Sequence, residues 1–307
     1  MTSHPAAPEV VTLTLNPAID RTVTIPNFST GAVNRVTHSE DRAGGKGINV
    51  AVSLATHGHR VAALGFLGKD NADVFAEAFA ALGIEDRCIR LAGATRVGIK
   101  IVDPVGGQTT DINFPGLAPA AADLVALRGQ LAALSGGWCV LAGSLPPGVE
   151  PGIYREFIAS LKARGVHTLL DTSGEPLREA LQAAPDIIKP NVHELEALLG
   201  ERLSTEKAVV AAARKLVTGG VKLVVVSRGA EGACFVTAEE AVSAVPPAVE
   251  VRSTVGAGDA MVAGIVAARL RGLSLGEGAR LATAFSLAAL TQAELETFLK
   301  RVRISPA

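Results

Sequence analysis

The 307-residue sequence predicts an α/β fold built on a mostly parallel central sheet with helices on both faces. Three observations carry that expectation. Short β-branched runs such as Val10 to Leu15 and Leu223 to Ser227 are apolar on both faces, as buried parallel strands are. Helical stretches closed by glycine lie between them, and the second half of the chain repeats this strand–helix alternation. The composition, 48% hydrophobic and 19% charged, suits a large packed core.

The elements follow in order. Val10 to Leu15 is a first strand that stops at Asn16-Pro17, where the proline ends the ladder. Thr22 to Ile25 and Arg35 to Ser39 alternate and are more polar, which predicts short strands outside the main sheet. A helix is expected from Gly47 to about Thr56, ending at Gly58, then a strand over Val61 to Leu67. Asp70 to Leu82 forms a helix closed by Gly83. Arg96 to Val102 and Thr109 to Phe114, joined by Pro104-Val105-Gly106-Gly107, predict a hairpin. Strands follow near Cys139 to Ala142, Thr168 to Asp171, Asp186 to Lys189 and Leu223 to Ser227. Two Ala-rich helices, about Ala257 to Arg271 and Leu275 to Thr291, complete the core, and residues 293–307 carry no clear pattern. No repeat, linker or composition break divides the chain, so one domain over 1–307 is expected. Strands within about 20–42 and 95–115 would form a small appendage to it.

Composition also excludes function classes. A formal net charge of −1 speaks against nucleic acid or an anionic membrane as partner. Cys88, Cys139 and Cys234 are odd in number and far apart, which argues against disulfide and metal frameworks and suits a reducing cytoplasm. Residues Met1 to Pro8 do not read as a signal peptide, and no apolar run is long enough to span a bilayer. A soluble cytoplasmic enzyme is the expectation.

The segment Ser253-Thr254-Val255-Gly256-Ala257-Gly258-Asp259, followed by a small apolar run, reads as a turn opening into a buried helix. Its free N–H groups and helix dipole suit an anion, and Gly256 and Gly258 let a phosphate approach the backbone. Asp259 adds a carboxylate at that place, as phosphoryl transfer needs: donors for the transferred group and a base for the attacking hydroxyl. A plain helix cap accounts for it equally. By the dipole alone its pKa is expected to be depressed.

Ala43-Gly44-Gly45-Lys46-Gly47-Ile48-Asn49 is a second glycine cluster at a helix start. It is neither a Walker loop nor a dinucleotide fingerprint. It offers backbone donors, a cation and Asn49, which suit sugar hydroxyls or a phosphate. Asn16-Pro17-Ala18-Ile19-Asp20 ends the first strand, and Asp20 could accept from two hydroxyls or serve as a turn residue. Gly143-Ser144-Leu145-Pro146-Pro147-Gly148 is a rigid turn at the same edge. In Lys189-Pro190-Asn191-Val192-His193-Glu194 the spacing of Asn191 and Glu194 satisfies a capping box, and equally sets an amide and a carboxylate near a hydrated Mg²⁺. Ser227-Arg228-Gly229-Ala230-Glu231-Gly232 is a turn between strands whose glycines leave room for a flat nucleotide.

The segments AGGKGIN, GSLPPG, KPNVHELE, SRGAEG and STVGAGDAM, in this order, resemble the ribokinase/PfkB-type sugar kinases over Val10 to about Gln292. TLNPAID, the lysine of GGKG, FLGKDN and Ser-Thr before the GAGD turn resemble the phosphosugar branch of that family, most like its fructose 1-phosphate kinases. The resemblance implies a three-layer α/β/α ribokinase-like fold with a small β-strand lid. It implies ATP-dependent phosphorylation of fructose 1-phosphate at C6, with tagatose 6-phosphate or fructose 6-phosphate as alternative acceptors. A non-catalytic sugar- or nucleotide-sensing module is the alternative of another class. Asp259 would be the base, and the N–H groups of Gly256, Ala257 and Gly258 would stabilise the transferred group. Asp20, Gly44, Gly45, Lys46, Asn49, Arg96 and Ser144 would bind the acceptor, with Lys46 and Arg96 on its phosphate and Arg35 as a further candidate. Lys189, Asn191, Ser227, Gly229, Glu231, Gly232 and Gly258 would bind ATP, and Glu194 would hold Mg²⁺ through water. The apolar faces that the lid strands would expose suggest a homodimer formed lid to lid.

Overall fold

Strand β1 (Val10–Thr14) is buried along its whole length, and the chain leaves it for a second, smaller sheet before returning. β2 (Ala18–Thr24) and β3 (His38–Gly44) pair antiparallel, Ala18 opposite Gly44 and Thr24 opposite His38. Helix α1 (Lys46–Thr56), strand β4 (Val61–Gly68), helix α2 (Asp73–Leu82) and short strands β5 (Glu85–Asp86) and β6 (Ile89–Leu91) bring it back beside β1. β7 (Val97–Asp103) joins β2 in parallel and β8 (Gln108–Ile112) pairs antiparallel with β7, so the smaller sheet has the order β3–β2–β7–β8. These coordinates come from a computed structural model that describes residues 7–252 and 256–307.

From there the alternation is regular. It runs through α3 (Ala121–Ala132), β9 (Trp138–Ala142), α4 (Ile153–Lys162), β10 (His167–Asp171), α5 (Gly174–Leu181) and β11 (Ile187–Ile188). Helices α6 (Val192–Leu199) and α7 (Glu206–Thr218) precede β12 (Leu223–Ser227), after which β13 (Ala233–Val236) and β14 (Ala241–Val245) fold back. Helices α8 (Ala257–Leu270), α9 (Leu275–Thr291) and α10 (Glu296–Leu299) lead to β15 (Arg303–Pro306). The large sheet has the order β15–β14–β13–β12–β11–β10–β9–β1–β4–β5, with β6 also on β4. Strands β12 through β5 are parallel, whereas β13, β14 and β15 are antiparallel. Residues 293–307, patternless in sequence, thus become α10 and an edge strand.

Strand alternation builds the three layers. Val61, Ala63 and Leu67 of β4 join the apolar cluster of α1, α2, α8 and α9, while Ala62, Leu64 and Phe66 join that of α3 to α7. Phe75 and Phe79 of α2 are fully buried, each contributing about 1.5–3 kcal/mol. The smaller sheet has only a sparse core of Val23, Ile25 and Ile101 with Phe28 and Ile99. It relies instead on its ladders and on ion pairs such as Arg21–Asp41 at 2.6 Å, each worth at most ~1 kcal/mol at a surface. No helix among the described residues is long and apolar enough to cross a membrane.

Candidate active site

Parallel strands end together, so the turns after β1, β9, β10, β11 and β12 share one edge of the large sheet. The two glycine-bearing turns meet there. Gly256 caps α8 in the left-handed region at φ 73°, and Asp259 lies in the first helical turn, 8% exposed. Its carboxylate accepts a hydrogen bond from Asn49 Nδ2 of α1 at 2.8 Å. Ser253, Thr254 and Val255, which open this motif, lie outside the described residues.

The electrostatics of Asp259 reverse the sequence expectation. Burial, followed by the charge of Asp171, pushes its pKa up to about 6, although the Asn49 hydrogen bond, Lys46 and Lys189 favour the carboxylate. The dipole of α8 acts as expected in sign, but it is outweighed because the side chain sits inside the protein rather than at an exposed helix end.

Asp171, at the end of β10, is 1% exposed and was not anticipated. Its Oδ1 is 3.2 Å from Lys46 Nζ and its Oδ2 3.6 Å from Lys189 Nζ. Burial works to lower the Lys46 pKa, but Asp171, Glu194 and Asp259 together outweigh it and hold it raised. Lys189, itself buried, points at the α8 turn: a Cβ on Gly258 would stand 3.6 Å from its Nζ.

A cleft of about 300 Å³ opens between the large sheet and the smaller one. It is lined by Asp20, Gly45, Lys46, Asn49, Arg96 and Ser144, together with Asn16, Asn113 and Thr172. Gly44 lies directly under Asp20: a Cβ there would meet its Oδ2 at 2.2 Å. Burial raises the Asp20 pKa against the opposing charges of Arg96 and Lys100. Asn16 Nδ2 donates to Ser144 Oγ at 3.1 Å, joining the turns after β1 and β9. The Arg96 guanidinium donates to the carbonyls of Asn16 (3.1 Å), Pro17 (3.2 Å) and Phe114 (3.2 Å). Burial lowers the Arg96 pKa, while the charge of Asp20 favours its protonated form. Arg35 is exposed on the β2–β3 connection and does not line this cleft.

A second cleft of about 500 Å³ is lined by Asn191, Thr205, Ser227, Arg228, Gly229 and Glu231 among others. Ser227 N donates to Pro190 O at 3.1 Å, tying the turns after β11 and β12 together. Asn191 and Glu194 form a reciprocal capping box on α6, with bonds of 2.8 and 2.9 Å. Glu231 pairs with Arg228. Gly232 stands apart: a Cβ there would meet the Ala244 carbonyl of β14 at 1.9 Å, so sheet packing and not the cleft demands glycine. Among the described residues no group of three His, Cys, Asp or Glu side chains could hold a metal ion. Asp171, a carboxylate ending a buried strand, carries a signal visible in the sequence, whereas Asn113 and Thr172 carry none; Asp20 lies within β2 and not in a turn.

Residues 9–300 match the model of the pfkB family of carbohydrate kinases. The chain is 54% identical to a 1-phosphofructokinase of Rhodobacter capsulatus over 92% of its own length and 90% of that protein's. It is 39% identical to the 1-phosphofructokinase of Escherichia coli K12, covering 97% and 98% of the two chains. Among solved structures, phosphofructokinase-2 from Escherichia coli in complex with fructose-6-phosphate superposes with a TM-score of 0.90 at 30% identity, over 96% of this chain and 99% of that one. The same neighbour has also been solved as a tetrameric inhibited form.

Proposed function

The chain belongs to the pfkB family of carbohydrate kinases, and we propose that it transfers the γ-phosphoryl group of ATP to the C6 hydroxyl of fructose 1-phosphate, giving fructose 1,6-bisphosphate. The observation that carries this is the Asn49–Asp259 contact, which sets the carboxylate of the α8 turn against a residue lining the 300 Å³ cleft. Relatives named 1-phosphofructokinase at 54% and 39% identity favour fructose 1-phosphate over tagatose 6-phosphate or fructose 6-phosphate as acceptor. A purely sensing module has no use for a buried carboxylate beside an anion-binding turn.

Asp259 accepts the C6 proton as that oxygen attacks phosphorus. With a pKa near 6 it is a stronger base than an ordinary aspartate, yet still ionised at neutral pH. The N–H groups at the start of α8 and Lys189 face the charge that spreads over the transferred group. Asp20 and Asn49 hold acceptor hydroxyls, and Lys46 and Arg96 its existing phosphate. Asn191, Ser227 and Gly229 flank the nucleotide. Mg²⁺ would neutralise phosphate charge, and Glu194 would hold it through water.

The smaller sheet acts as a lid that excludes water from the acceptor cleft. Its exposed Val33, Val36, Val105, Ile112 and Phe114 suit a homodimer formed lid to lid. Three unpaired cysteines suit the cytoplasm. A coupled assay with MgATP and each of the three phosphosugars tests the activity: fructose 1-phosphate should give the highest kcat/KM, and turnover of none would refute it.

A further inference from the structure

Asp171 belongs to neither glycine turn and to none of the roles above, yet it lies at the centre of the site. Its carboxylate is 1% exposed, and Oδ2 has no hydrogen-bond partner although it is buried. Such a group is costly to bury without a purpose, because water would otherwise solvate it. Two ammonium groups flank it. Lys46 opens α1 on the acceptor side, and Lys189 follows β11 on the nucleotide side beside Gly258. The backbone also holds Asp171 in place, its carbonyl accepting from Gly143 N at 3.0 Å while the neighbouring Thr172 hydroxyl donates to Gly143 O at 2.9 Å.

We infer that Asp171 is a positioning residue, one carboxylate that ties the acceptor-side Lys46 to the nucleotide-side Lys189 and fixes both beside the path of the transferred phosphoryl group. Lysine is a point charge on a flexible stem and does not hold its own geometry. Two lysines this close repel each other unless an anion lies between them. A single rigid carboxylate solves both problems and brings the two clefts into register. It also places a negative charge near Asp259, whose other charged and polar neighbours are Lys46, Lys189 and Asn49.

This rests on the proposed phosphotransfer, so wild-type turnover is measured first. Absence of turnover with all three phosphosugars overturns that activity and this inference with it; every other outcome below bears on Asp171 alone. In the Asp171→Asn variant, KM for the phosphosugar and KM for ATP should rise together, each by about tenfold or more, the size of one lost charge-assisted bond. Lys46→Met should raise mainly the first and Lys189→Met mainly the second. The acid limb of kcat/KM should move to lower pH in Asp171→Asn, because a like charge next to Asp259 is gone. Unchanged or lower KM values would overturn the inference, as would an effect confined to the Mg²⁺ dependence. If Asp171→Asn does not fold, the Lys46→Met/Lys189→Met cycle decides: the two losses should be non-additive by several-fold, and simple additivity overturns the inference.

Discussion

Asn49 of α1 and Asp259 of α8 are joined side chain to side chain at 2.8 Å, although 210 residues separate them in sequence. That one bond ties a carboxylate in the first turn of α8 to a residue that lines the 300 Å³ cleft.

Replacing Asp259 by Asn should lower kcat by about 10²–10⁴-fold, the contribution of a positioned general base. Steady-state kinetics should find both KM values within a few-fold of wild type. In the wild type, kcat/KM should fall as pH drops below about 6, where Asp259 takes up its proton. Near-full kcat in the variant would exclude Asp259 as the base.

The same substitution should stabilise the fold. A carboxyl whose folded pKa lies near 6 against an ordinary 3.8 contributes stability below pH 3.8 and loses it as pH rises through 6. At pH 8 the buried charge costs about 3 kcal/mol at most, a cost the Asn variant escapes. Thermal melts should therefore show a Tm advantage for Asp259→Asn that is larger at pH 8 than at pH 5; an advantage independent of pH contradicts this.

Gly44→Ala places a methyl group where the Asp20 carboxylate now lies, at 2.2 Å. Asp20 must swing aside, so KM for the phosphosugar should rise about tenfold or more while KM for ATP stays near wild type. Equal effects on the two would mean that Asp20 does not serve the acceptor.

Gly232→Ala should behave in the opposite way. Its Cβ meets a backbone carbonyl and its φ of 91° is strained for alanine, so stability should fall by about 2 kcal/mol or more. Denaturant titration should detect the loss, with KM for ATP little changed in the folded fraction.

Glu194→Gln keeps the size of the side chain and an oxygen able to accept from Asn191 N, but removes the charge. The Mg²⁺ concentration giving half-maximal rate should rise several-fold, with stability within ~1 kcal/mol of wild type. An unshifted Mg²⁺ curve would leave Glu194 with only its helix-capping role.

Most of the parallel sheet was legible in the sequence, because buried strands such as Val61–Gly68 are apolar on both faces and glycine marks the ends of their helices. The strands of the smaller sheet were harder. β3 begins His38-Ser39-Glu40-Asp41-Arg42, which has no apolar period, and its limits are set by pairing with β2 instead. The short Ser227–Gly232 turn already implies an antiparallel β13, but β14 was hidden, since an apolar run reads alike in either orientation, and β15 exists because β14 offers it a ladder. At the site, Asp20, Lys46, Asn49 and Asp259 stood in segments recognisable in the sequence, although Asp20 proves to lie within strand β2 and not in a turn. The role of Asp171 was invisible because Lys46, its partner, is 125 residues away. The sign of the Asp259 shift was missed for the same reason: burial is a property of the assembled layers.

The chain passes between the two sheets at residues 15–17, 45, 92–96 and 113–120, and the Arg96 guanidinium bonds carbonyls in the first and last of these from its own place in the third. Connections gathered at one knot cannot bend separately. If the smaller sheet tilts, it should therefore turn as one stiff plate with that arginine at its axle.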